Sequence, residues 1–127
     1  ERTIIHNITP HDVHLIEREN NIFVVKKTYK QCGSMVLRIG HQRNEKSGFF
    51  ELVAKNEKTG HFISLPKKKE GVYYIVSKAT AMAFHRTDLI VPRDVIKNRK
   101  GKPIGCLGFS GIYHYSDGST KFFNVDF

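Results

Sequence analysis

Cysteine is scarce: Cys32 and Cys106 stand far apart with no C-x-x-C spacing, which excludes a zinc ribbon and a disulfide-knit scaffold. Two buried free thiols are expected, or at most one bridge between them. No apolar run approaches the roughly 20 residues of a membrane span. No charged-then-apolar leader opens the chain either, so a cytosolic protein is expected. Internal repeats, linkers and low-complexity tracts are missing, which leaves one domain over residues 1–127. Catalytic signatures are missing too. There is no G-x-S-x-G elbow, H-E-x-x-H helix, Walker loop or G-x-G-x-x-G. His11 and His14 lie where a turn enters a strand, and alternation sets them on opposite faces, against a metal pair. Gly105-Cys106-Leu107-Gly108 matches the KH-type G-x-x-G in letters only, since its filling is apolar and no helix pair flanks it. Neither catalysis nor a metal or cofactor is indicated.

Acidic residues are also few, 12 against 21 Lys and Arg, for a formal charge of +9. Such a field suits phosphate-bearing partners, whether nucleic acid, nucleotide or anionic lipid. With 39% hydrophobic and 26% charged residues, the 127-residue chain can build a modest core, and wholesale disorder is excluded.

What is present reads mostly as strand. Residues 3–8 (TIIHNI), 13–17 (VHLIE) and 22–27 (IFVVKK), broken at 9–12 and 19–21, predict an antiparallel meander. Residues 34–39 predict a further strand before a polar, mobile loop at 40–47. Residues 48–54 and 61–65 predict a hairpin with a mobile tip at 55–60. Lys67, Lys68 and Lys69 make a basic link. Residues 93–97, a basic turn at 98–101, and residues 103–109 follow. Gly105 and Gly108 mark a bulge or a close approach by another backbone or a ligand. Asp117-Gly118 between 112–115 and 120–125 is a hairpin signal. About ten strands and one or two short helices give an α+β fold, a single small domain of mostly antiparallel sheet.

The chain's centre is residues 71–91 (GVYYIVSKATAMAFHRTDLIV), closed by Pro92. The run 72–76 is β-branched and aromatic throughout, as in a strand covered on both faces. Ser77 is placed to cap a helix of about two turns from Lys78 to about His85. Phe84, Arg86, Thr87, Asp88 and Arg93 then crowd into ten residues. Phe84 is a stacking platform for a base or else a core residue. Arg86 neutralises a phosphate or else pairs with Asp88, and Asp88 otherwise accepts from ribose hydroxyls.

Four stretches in order, I-I-H-N-I-T-P-H-D-V at 4–13, G-V-Y-Y-I-V-S at 71–77, R-T-D-L-I-V-P at 86–92 and G-K-P-I-G-C-L-G-F at 101–109, resemble the small phage proteins of the first Thoeris anti-defence family. The resemblance implies a non-enzymatic sponge that sequesters the glycocyclic ADP-ribose signals of bacterial TIR-domain immunity, in the host cytoplasm. Some members also hold cyclic oligonucleotide signals at a separate site. It implies a mostly β domain that dimerises through helical elements or assembles further, with pockets near the interface. It assigns adenine stacking to Phe84. It expects an asparagine just after Pro92, where this chain has Arg93-Asp94. Arg43, Lys78 and Arg99 are candidate basic pocket residues from charge. The rival reading is a basic nucleic-acid-binding module, and a cyclic-nucleotide hydrolase is third.

Overall fold

A computed structural model of the chain describes residues 3–31, 37–43, 50–56 and 65–126, with residues 37–43 and 50–56 described as backbone. The elements are β1 (Ile4–Asn7), β2 (Val13–Glu19), β3 (Ile22–Tyr29), β4 (Leu37–Arg43), β5 (Phe50–Asn56), β6 (Val72–Ile75), α1 (Lys78–Ala83), β7 (Leu89–Lys97), β8 (Pro103–His114) and β9 (Thr120–Val125). The architecture is mostly β with one short helix among the described residues, rather than α+β.

Seven strands form one sheet in the order β1-β6-β7-β8-β2-β3, with β9 added beside β8. The twelve-residue β8 is its spine. β7 lies antiparallel along one edge of β8, while β2 and β9 share the other, β2 at Cys106 and β9 from Phe109 onward. The expected antiparallel meander is only half correct. β2 and β3 form the hairpin, through a turn in which Asn20 and Asn21 both have positive φ. β1 instead runs parallel to β6, and β6 parallel to β7, so the sheet is mixed. Asn7 at the end of β1 bridges Gln31 just past β3, which brings the two ends of the sheet together.

The central run behaves as its residues require. Tyr74 and Val76 enter one apolar cluster with Ile8, Ala81, Leu89, Val91 and Ile112. Ile75 enters a second with Ile90, Cys106 and Phe109. α1 covers the first cluster through Ala81, and the oxygen of Ser77 accepts from the Thr80 N–H at 3.2 Å, as expected of an N-cap. The helix ends at Ala83, about two residues early. Phe84 turns extended (φ −114°, ψ 123°) and lays its ring against the first cluster, so burial of the aromatic outweighs another half turn of helix.

Pro92 does not close the segment, because β7 runs through it to Lys97. β6 pairs with β7 only at Leu89 and Ile90, so by Pro92 that edge has no strand to miss the N–H. β4 extends to Arg43 and pairs antiparallel with β5, which runs to Asn56, so residues 40–43 of the expected loop and 55–56 of the expected tip are strand instead. Residues 44–49 and 57–64 of the expected loop and hairpin lie outside the described residues.

Candidate functional site

The segment after α1 is held from within. The Arg86 guanidinium grips the Asp88 carboxylate with two bonds, Nε to Oδ1 at 2.9 Å and Nη2 to Oδ2 at 2.5 Å. Asp88 is buried at 2% exposure, so this pairing meets its need for a counter-charge. Thr87 is exposed and its hydroxyl accepts from Lys68 Nζ. Phe84 is half-buried against the core.

Of the other residues singled out, Lys78 sets its ammonium 5.1 Å from the Phe122 ring centroid. Arg93 lays its guanidinium over Gly108, where a Cβ would come within 2.6 Å of Nη2, and donates from Nη1 to Asp94 at 2.7 Å. Its Nε is buried without a hydrogen-bond partner, and Asp94 beside it holds φ +52°. Arg99 is exposed in the turn at 98–102, and Arg43 ends β4, its side chain outside the described residues. Arg86 and Asp88 are therefore brought together, while Lys78, Arg93 and Arg99 each have separate surroundings.

A cleft of about 400 Å³ lies elsewhere, between the loop after β1, the end of β6 and the start of β8. Val76, Pro92, Val95, Pro103, Ile104 and Cys106 give it apolar walls, and Thr9, His11, Asp12, His14 and Ser77 supply polar groups. Asn7 builds the loop wall. Buried at 1% exposure, it donates from Nδ2 to the carbonyls of His11 (2.7 Å) and Tyr29 (2.8 Å). Its Oδ1 accepts from the N–H (3.0 Å) and hydroxyl (2.6 Å) of Thr9. All four capacities of the amide are used. Asp12 ties the same loop to β3 by accepting from the Gln31 N–H at 3.1 Å.

The opposite-faces expectation for His11 and His14 is corrected here. His11 sits in the loop, where strand alternation does not apply, and both line the cleft. His14 Nδ1 lies 2.9 Å from the Thr28 hydroxyl, which orients the ring. Among the described residues no three His, Cys, Asp or Glu are grouped to hold a metal.

Gly105 marks a close approach by backbone, as expected: a Cβ there would stand 2.6 Å from Ile16 Cγ2 and 2.9 Å from the His14 carbonyl. Burial pushes the Cys106 thiol up from its ordinary range, against the opposing effects of the Gly108 backbone and Arg93. Cys106 is thus a free, buried, protonated wall residue and not a ready nucleophile.

Two lining residues, Val95 and Pro103, lead into a basic turn, although among the described residues no lysine or arginine lines the cleft itself. The turn carries Lys97, Arg99, Lys100 and Lys102, all exposed. Asn98 fixes that turn: its Oδ1 accepts from the N–H of Lys100 (2.9 Å) and of Lys102 (3.0 Å), and Gly101 takes φ +79°. Sequence reasoning passed over the cleft because its walls come from four separated stretches. The glycine at 105 and the I-T-P-H-D stretch at 8–12 were the available signals. No protein-family model, curated protein or solved structure matches the chain.

Proposed function

We propose that this chain binds a small cyclic nucleotide of the glycocyclic ADP-ribose class in the cleft and retains it unchanged. The class comes from the resemblance of the four ordered stretches. One juxtaposition in the fold supports it: an apolar cleft of about 400 Å³, within the size range of small-ligand sites, abutting a rigid turn with four cationic side chains. In this reading Val95 and Ile104 cover the face of a base, and Thr9, Asp12 and Ser77 take the ribose hydroxyls. Arg99, Lys102 and their neighbours neutralise the pyrophosphate. A homo-oligomer in the cytoplasm of an infected bacterial host belongs to the same proposal. Among the described residues no helix is long and apolar enough to cross a membrane.

Calorimetric titration of the chain with glycocyclic ADP-ribose tests it, followed by heating and mass spectrometry of the released ligand. Binding is expected to weaken about tenfold or more in Lys102→Glu, with intact ligand recovered. If Phe84→Ala abolishes binding while Lys102→Glu leaves it unchanged, the ligand sits on the Phe84 segment and not in the cleft. Cleaved ligand would make the protein a hydrolase, and absence of binding would remove the nucleotide reading.

The nucleic-acid reading keeps one observation of its own. Tyr113, 54% exposed, stacks on Phe123 at 4.2 Å, opposite Lys121 in the β8–β9 ladder, which is the kind of platform single strands use. Binding to a long single strand that falls steeply with salt would favour it.

A further inference from the structure

β3 is the last strand of the sheet, and its first half is bare. Ile22, Phe23, Val24 and Val25 are 62%, 42%, 38% and 55% exposed, so both faces of an edge strand are apolar and open. Its far end is engaged, because Tyr29 accepts from Asn7 and Gln31 bridges β1. Among the described residues the unpaired part of this edge therefore spans residues 22–28, and its apolar part is 22–25. Lysines that discourage edge pairing sit only at Lys26 and Lys27, past the apolar run.

The hydrogen-bonding groups of this edge are set by the hairpin. A two-residue turn at Asn20-Asn21 makes Glu19 and Ile22 the first hydrogen-bonded pair. By alternation Val24 faces β2, while Phe23 and Val25 turn their N–H and C=O outward.

The charges are arranged as a complement. Along β2, Glu19 stands opposite Ile22 and Glu17 opposite Val24, at the turn end. Lys26 stands at the other end, beside the irregularity where β2 shifts register between Leu15 and Ile16.

We infer that residues 22–26 of β3 pair antiparallel with the same residues of a second copy of this chain, about a two-fold axis at Val24. In that register Val24 meets Val24 of the second copy, and Phe23 meets Val25, exchanging the outward hydrogen bonds on both sides of the axis. Ile22 meets Lys26 of the second copy, whose ammonium and the first copy's Glu19 then flank Ile22 from its two sides on one face. The contact is isologous, so it closes at two copies and leaves the β3 edge unable to propagate. It is independent of the ligand reading, and it differs from pairing through the helix, which the resemblance implies.

Light scattering over a dilution series tests the pairing. The wild type is expected to reach twice the 14.6 kDa chain mass. Lys26→Glu, which sets two carboxylates around Ile22, should raise the dimer dissociation constant about tenfold or more. Glu19→Lys combined with Lys26→Glu should restore it. Within one hairpin these two residues are four strand positions apart, so rescue reports a contact between copies. Val25→Pro, which removes an outward N–H without touching the β2 ladder, should also give a monomer whose circular dichroism matches the wild type. A wild type that stays monomeric at every concentration overturns the inference. So does a dimer indifferent to Lys26→Glu and Val25→Pro but broken by Met82→Lys on the exposed face of α1.

Discussion

Two stretches of this chain are nearly the same in kind and opposite in fate. Val72-Tyr73-Tyr74-Ile75 forms β6 and Ile22-Phe23-Val24-Val25 opens β3, each an uninterrupted β-branched and aromatic run without alternation. β6 is flanked by β1 and β7, with an apolar cluster on each face, and Ile75 has no exposed surface. Among the described residues β3 pairs with a strand on one side only, and its first seven residues are exposed. Residue type therefore specifies that a segment is strand, and topology alone decides whether that strand is a core or an edge. An apolar run found at an edge is surface left over for a partner.

Substitutions matched between the inner and outer regions test this contrast. The largest gap is expected between two arginines. Arg86 neutralises a carboxylate that is 2% exposed, whereas Arg18 only donates to Asn21 on the surface at 3.1 Å. Arg86→Ala leaves Asp88 buried and unpaired, which costs about 3 to 5 kcal/mol of stability in urea unfolding. Arg18→Ala changes it by about 0.5 kcal/mol or less. A small effect of Arg86→Ala would show that Asp88 is reached by water.

Next comes the apolar pair. Ile75→Ala removes atoms from a packed site and is expected to cost about 2 to 5 kcal/mol. Val25→Ala, measured at dilution where copies are apart, is expected to stay within about 0.5 kcal/mol of wild type. The same Val25 variant in concentrated protein should lower the apparent melting temperature, because the wild type gains stability by mass action and the variant gains less. Equal effects at both dilutions would separate the exposed run from association.

Strand identity along most of the described residues, the Ser77 cap, the Asp117-Gly118 hairpin and the doubly covered run at 72–76 were legible, because each depends on a few consecutive residues. The parallel pairing of β1 with β6 was not, since it depends on a crossover of more than sixty residues whose only local trace is two apolar runs. The cleft was illegible for the same reason. Arg86 and Asp88 show a middle case: their spacing admitted both a phosphate contact and an internal pair, and only the burial of Asp88 distinguishes them. Asn7 carried no sequence signal at all, yet its amide shapes the loop at 8–12 by four hydrogen bonds.

The smallest difference is expected between two oxygens that hold turns. Ser77 caps α1 at the edge of the cleft, and Asp117 accepts from the N–H (2.9 Å) and hydroxyl (2.6 Å) of Ser119 at a fully exposed hairpin tip. Ser77→Ala should cost about 1 kcal/mol, a melting shift of about 2 to 8 °C, and Ser77→Asp should recover it because a carboxylate serves the same N–H. Asp117→Ala should shift melting less, since water replaces its bonds. Its effect should also depend on pH. The Ser119 hydroxyl and backbone bonds hold the Asp117 carboxyl below its ordinary range, so its contribution is fully present above the unfolded carboxylate range. It is lost as the pH falls through the depressed folded value. Wild type and Asp117→Ala should therefore differ near neutral pH and converge in acid, whereas the Ser77→Ala deficit, resting on a hydroxyl, should persist at both. A Ser77→Ala deficit that likewise faded in acid would mean that the helix start is held by a titrating group and not by the serine.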